Sequence, residues 1–169
     1  MIGKGTRIRV ISIDLIVQLN YIKNFFKGGS IHRMETFFIE KEINVYCITA
    51  KSFPNEVLEA HQKLHKMIPF SEERRYFGLS RPENGKIVYK AAAEKLEKDA
   101  EEKNECESFI IKSGKYRTIT ILNFKNDSQG IGTAFEKLIS YSDIDPNGYC
   151  IEWYFNDQDV KCMVRLIDN

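Results

Sequence analysis

Of 169 residues, 43% are hydrophobic and 29% charged, enough apolar material for one packed domain under an ordinary wetted surface. Lys and Arg number 25 against 24 Asp and Glu, a net charge of +1, so the balance gives no sign of a nucleic-acid footprint, which needs concentrated positive charge. The modest basic cluster near the N-terminus (Lys4, Arg7, Arg9, Lys23, Lys27, Arg33) reads as a solvated face.

Taken in chain order, residues 8–19 are apolar but interrupted by Arg9 and Asp14. That run is too short and too charged for a membrane span. It also lacks the small-residue cleavage site of a signal peptide, so a cytoplasmic location is expected. At helical spacing Ile8, Ile11, Leu15, Leu19, Ile22 and Phe26 form one stripe, and Gly28-Gly29-Ser30 stops it. A strand over 8–13 is the competing reading. Segment 1–30 is expected to be an apolar helix docked on the domain or on a second copy of the chain, giving a homodimer. A disordered leader, or a remnant of a lost upstream domain, is the alternative.

Residues 31–169 read as one domain containing two passes of a single pattern, about 34–94 and 106–168. In the first pass, 36–39 and 43–48 have the β-branched and aromatic bias of strands. Ser52 and Pro54 then suggest a helix start, and Val57, Ala60, Leu64 and Met67 give its apolar face. Strands over 76–79 and 87–91 follow, joined by a turn at Pro82-Glu83-Asn84-Gly85. The second pass repeats the order: strands at 108–111 and 116–124, then helix-start residues Asn126, Asp127 and Ser128. Its helix face is Ile131, Ala134, Phe135, Leu138 and Ile139, and strands at 149–155 and 160–166 close the pass. One offset of 74 carries Ala60 onto Ala134, Leu64 onto Leu138 and the Asn84 turn onto Gln158. The charged run 95–105 between the passes reads as a linker or a frayed helix. The predicted class is α+β: duplicated β-α-β-β units forming antiparallel sheets, one helix per unit, with a groove between the repeats.

The four cysteines (Cys47, Cys106, Cys150, Cys162) form no C-x-x-C pair, so buried free thiols are expected. His61 and His65 stand at i, i+4 but lack the H-E-x-x-H acid, and with His32 they read as surface or boundary residues. No metal, cofactor or catalytic constellation is expected. Alternation places Cys150, Glu152 and Tyr154 on one face of their strand and Ile151, Trp153 and Phe155 on the other. The second set is expected to pack on the helix and the first to face the seam, where burial raises a carboxyl pKa. On pattern alone, an edge-strand Glu152 at the solvent is as good a reading.

Several pieces, in order, resemble the GyrI-like small-molecule-binding domains, also called bacterial transcription-activator effector-binding domains. They are Arg75-Tyr76-Phe77-Gly78-Leu79-Ser80, the stretch 89–94, Gly114-Lys115-Tyr116, Ala134-Phe135-Glu136-Lys137-Leu138 and Ile151-Glu152-Trp153-Tyr154-Phe155-Asn156-Asp157. The resemblance covers much of 34–168. It implies a duplicated β-α-β-β domain whose inter-repeat groove holds the glutamate of an E-x-Y strand, here Glu152 with Tyr154. Many relatives carry a DNA-binding helix-turn-helix, where this sequence has only 1–30, so specific nucleic-acid binding is not expected. Tyr89 and Tyr116 are candidates for the groove walls, as ring faces with a hydroxyl. Glu94 is a candidate second carboxylate, with a solvated strand end as the plainer reading. The expected role is a stand-alone effector-binding domain for an apolar or cationic aromatic ligand, as sensor or sequestering protein. The alternative, drawn from the family, is a hydrolase of strained electrophilic rings that uses the groove glutamate as general base.

Overall fold

The computed structural model describes residues 34–99, 105–127 and 129–168. The apolar stripe over 8–26, with the homodimer it would make, lies outside the described residues. The strands are β1 (Met34–Ile39), β2 (Ile43–Thr49), β3 (Tyr76–Glu83), β4 (Lys86–Glu94), β5 (Glu107–Ile111), β6 (Gly114–Ile121), β7 (Cys150–Tyr154) and β8 (Val160–Arg165). The helices are α1 (Val57–Met67) and α2 (Gly130–Ile139), with a 3-10 turn at Phe124–Asn126. Each repeat therefore has the order expected from the sequence, in a mixed α+β architecture.

All eight strands form one antiparallel sheet in the order β1-β6-β8-β7-β3-β4-β2-β5. The order is palindromic by repeat: β6-β8-β7 of the second unit meets β3-β4-β2 of the first along β3–β7. Each unit also lends its first strand to the other, β1 to β6 and β5 to β2. The separate sheets expected from the sequence are thus fused. Local pattern registers strands but carries no record of an edge-to-edge pairing between repeats.

The sheet is curled into a half-barrel, and its two faces do different work. On one, α1 packs through Ala60 and Leu64 on Tyr46, Ile48, Tyr89, Ala91 and Ala93. Beside it, α2 packs through Ala134, Phe135, Leu138 and Ile139 on Ile119, Ile121, Val160, Cys162 and Val164. Ala60 and Ala134, and Leu64 and Leu138, are buried alike, so the offset of 74 is structural. On the other face, against which no helix of the described residues packs, the curl encloses a second core that draws on every strand, including Ile39, Val45, Phe77, Ala92, Ile111, Tyr116, Ile151 and Met163. Small alanines on β4 let α1 approach closely, while the larger β-branched and aromatic residues fill the curl.

Local chemistry sets the ends. Asn84 (φ 51°) and Gly85 (φ 75°) form the two-residue β3–β4 hairpin, so the turn is shorter than the four residues expected. Helix α1 begins three residues beyond Pro54. Ser52 accepts the Glu56 amide at its carbonyl (3.2 Å) and closes a preceding turn instead. The second helix behaves similarly: Asp127 Oδ1 accepts the Gly130 amide at 2.8 Å. Strand β6 stops at Ile121 where Asn123 turns left-handed (φ 52°), three residues before the expected end.

Candidate functional site

The seam between the repeats is the β3–β7 pair, where Glu152 lies opposite Gly78. The alternation read from β7 holds, but its sides are reversed. Cys150 and Tyr154 join the helix-side core, while Ile151 and Trp153 point into the curl. Trp153 packs there against Phe37 and Phe77, ring centroids 5.6 and 6.3 Å away. A sequence reading assumes one covered face per strand. The curled sheet covers both, and the larger interior takes the indole. Phe155 follows the strand and is exposed.

Glu152 is consequently sealed beneath the helix layer, 7% exposed. Its Oε2 accepts hydrogen bonds from the Tyr154 hydroxyl and, at 3.2 Å, from Tyr89. Tyr89 Oη lies 2.9 Å from Nε2 of His61 on α1. The run His61–Tyr89–Glu152–Tyr154 thus crosses from one repeat to the other. Among the described residues no Lys or Arg contacts Glu152. Burial raises its carboxyl pKa, and the two tyrosine donors only partly oppose that. Burial and the neighbouring carboxylate push both tyrosines well above their ordinary values, so they stay donors. Burial lowers His61 to about 4, and the imidazole is neutral at physiological pH.

Gly78 makes this packing feasible. A Cβ there would lie 2.1 Å from Tyr89 Oη and 2.8 Å from Glu152 Oε2. A glycine inside a strand often marks such an approach.

Beside this network opens a groove of about 750 Å³, lined by its two end members His61 and Tyr154 but not by Glu152 itself. Its walls come from both repeats: Val57, Leu58, His61 and His65 of α1, Phe70 and Tyr76 below it, and Phe124 with Tyr154–Asp157 opposite. The rings are organised. Phe124 lies 5.4 Å from Tyr154, His61 meets Tyr154 edge-on at 5.8 Å, and Phe70 stacks on Tyr76 at 5.6 Å. Leu58, Phe70 and Phe155 stay exposed at the rim. Tyr154 is the shared element, with its ring in the groove wall and its hydroxyl on Glu152.

The structure unites three of the five residues singled out from sequence: Glu152, Tyr154 and Tyr89. Tyr116 is on the opposite face of the sheet, where its hydroxyl donates to the Lys112 carbonyl at 2.7 Å. Glu94 accepts from Arg75 Nε at 2.7 Å, and that guanidinium holds its carboxyl below the usual range despite the opposing effect of burial. Neither is part of the Glu152 network. Sequence reasoning missed His61, Gly78 and Phe124. The usable signals were a histidine beside Ala60 and Leu64 on the helix's apolar face, and a glycine within a strand. All four cysteines are free, as expected, with Cys47, Cys150 and Cys162 buried.

No protein-family pattern matches the chain, and no curated protein matches it in sequence. Solved structures do. An integron cassette protein from the mobile metagenome of Vibrio cholerae superposes with a TM-score of 0.56 at 12% identity, over 81% of this chain and 97% of the other. A hydrolase from Listeria innocua gives 0.50 at 13%, covering 87% and 97%. A bacterial transcription regulation protein from Staphylococcus aureus gives 0.47 at 13%, covering 82% and 99%. The likeness is one of fold. It extends over most of the described residues, both repeats included. Among the described residues no helix is long and apolar enough to cross a membrane.

Proposed function

We infer that this chain is an effector-binding domain of the GyrI-like kind whose ligand is a small apolar or aromatic cation. The observation that carries this reading is Glu152: a buried carboxyl served, among the described residues, by two neutral donors alone, one of which, Tyr154, lines an aromatic groove between two repeats. Such a group is costly in its ionised form and gains most when a positive charge arrives. Aromatic faces stabilise the same charge through their quadrupoles, and the body of the ligand displaces water from an apolar wall. A cation seated against Tyr154 and His61 meets side chains that are hydrogen-bonded to the carboxyl, Tyr154 directly and His61 through Tyr89. The role is that of a cytoplasmic sensor or sequestering protein.

Titration calorimetry with methyltriphenylphosphonium and the neutral, near-isosteric triphenylphosphine oxide tests the reading. Glu152→Gln should weaken the phosphonium by about tenfold or more, the scale of one lost charge-assisted contact, and leave the oxide within about twofold. Equal losses for both would show that the carboxyl charge has no part in binding.

A second reading is hydrolysis of a strained electrophilic ring, with Glu152 as general base. The hydrogen-bonded run from His61 to Tyr154 favours it, because it offers a route for a proton. Turnover of an epoxide-type substrate that Glu152→Gln abolishes would support this reading over simple binding.

A further inference from the structure

The rim of the inter-repeat groove is more apolar than its small ligands require. Leu58 is 68% exposed, Phe70 71% and Phe155 43%, and all three stand around one opening. Large apolar side chains gathered at a groove mark a surface that something covers. The charge at this rim is negative. Glu72 and Asp157 are exposed and form no ion pair among the described residues, while Arg74, the one Lys or Arg among the lining residues, is held by Asp99 at 2.6 Å.

The chain itself holds a segment of the opposite character. Of the 25 Lys and Arg, six fall within residues 1–33, against one of the 24 acids, Asp14, so the rest of the chain carries 19 against 23. On a helical projection Ile8, Ile11, Leu15, Leu19, Ile22 and Phe26 form one stripe, and Arg9, Lys23 and Lys27 all border it on the same side. Such a segment suits an apolar groove with an acidic rim, the usual seat of an amphipathic helix.

The point at which the described chain begins puts this segment within reach. Ile121, Val160, Tyr154 and Tyr76 form one row across β6, β8, β7 and β3, and the last two line the groove. Met34, opposite Ile119, enters β1 two positions from that row and packs on the same helix-side core as Phe124 and Tyr154. From β1 to β7 is three strand spacings, about 14 Å. The eight residues from Phe26 to Met34 span up to about 26 Å when extended.

We propose that the groove is covered by the chain's own N-terminal segment, with Leu19, Ile22 and Phe26 of the stripe seated against Leu58, Phe70 and Phe155 and the basic flank facing Glu72 and Asp157. A ligand must then displace the segment, and its apparent affinity falls with the fraction of chains left uncovered. The docking does not rest on the cation reading of the groove.

Nuclear magnetic resonance on the full chain tests it without any ligand. A nitroxide is placed by Asn24→Cys, on the side away from the stripe, in a chain whose half-buried Cys106 is changed to Ser. The label should attenuate the amide signals of Leu58, Phe70 and Phe155 and spare exposed Tyr141, beyond the far end of α2. L19S/I22S should restore the lost signals. From the other side, L58S/F155S should restore that of Phe70; both rim residues are exposed, so the domain stays folded. Unattenuated rim signals, equal attenuation at Tyr141, or attenuation that survives both double variants would each overturn the proposal. So would attenuation of isotope-labelled chains by separate spin-labelled ones, which would assign the cover to a second copy.

Discussion

Replacing Gly78 by alanine places a methyl group where Tyr89 Oη and Cζ now sit, 2.1 and 2.8 Å from the added carbon. Tyr89 cannot swing aside easily, because it is 1% exposed, stacks on Phe53 at 5.8 Å and is bonded to His61. The variant must therefore shift a packed ring, at about 1–3 kcal/mol for overpacking. Displacing the ring also strips a donor from a buried carboxyl, a loss of about 1.5–3 kcal/mol. Together these give a destabilisation on the order of 3–5 kcal/mol, severe for a domain of this size. Urea unfolding followed by circular dichroism measures it. Tyr89→Phe removes the nearest clashing atom, so its own cost should shrink by about 1 kcal/mol or more in the G78A background. A G78A chain within about 0.5 kcal/mol of the parent, or strictly additive single and double changes, would refute the claim that Gly78 exists to admit this network.

Glu152→Gln should raise the melting temperature above neutrality and lose that advantage in acid. The folded carboxyl pKa lies above the unfolded one. Wild-type stability therefore falls as pH rises through the folded value, whereas an amide is indifferent; a stabilisation that is the same at every pH would contradict this. His61 works in the other sense, because its folded pKa is depressed to about 4 and its contribution is lost as pH falls from about 6.5 through that value. In chemical denaturation at about pH 7.5 and pH 4.5, the wild type should lose on the order of 2–3 kcal/mol relative to His61→Phe, allowing for partial solvent screening. An unchanged difference between the two proteins would rule out a buried neutral imidazole.

The elements were legible because each repeat writes its periodicity locally. Ala60, Leu64, Ala134 and Leu138 recur at helical spacing, and the hairpin at Asn84-Gly85 declares its own turn type. What could not be read was non-local. The β3–β7 pairing that fuses the sheets, and the exchange of β1 and β5 between repeats, leave no mark on a short window of sequence. The site followed the same division. The E-x-Y alternation put Glu152 and Tyr154 on one face, but which face the helices cover depends on the direction of curl. Tyr116 and Glu94 share the aromatic or acidic character of the site residues, yet they lie on a different face or answer to a different partner. His61 looked like a boundary residue because its helix is mostly wet; only the turn of α1 above Tyr89 brings it into the network.

Under the proposed function, the buried Glu152 carboxyl beside the inter-repeat groove draws in a cation. Phosphonium affinity measured from about pH 4.5 to about pH 8, for the wild type and Glu152→Gln, tests it most directly. The wild type should bind progressively more tightly as pH rises through the elevated Glu152 pKa, releasing a proton on binding where that group is still protonated. The variant should bind weakly and without a slope. Parallel pH profiles for the two proteins, or a wild-type affinity that does not change with pH, would contradict the account.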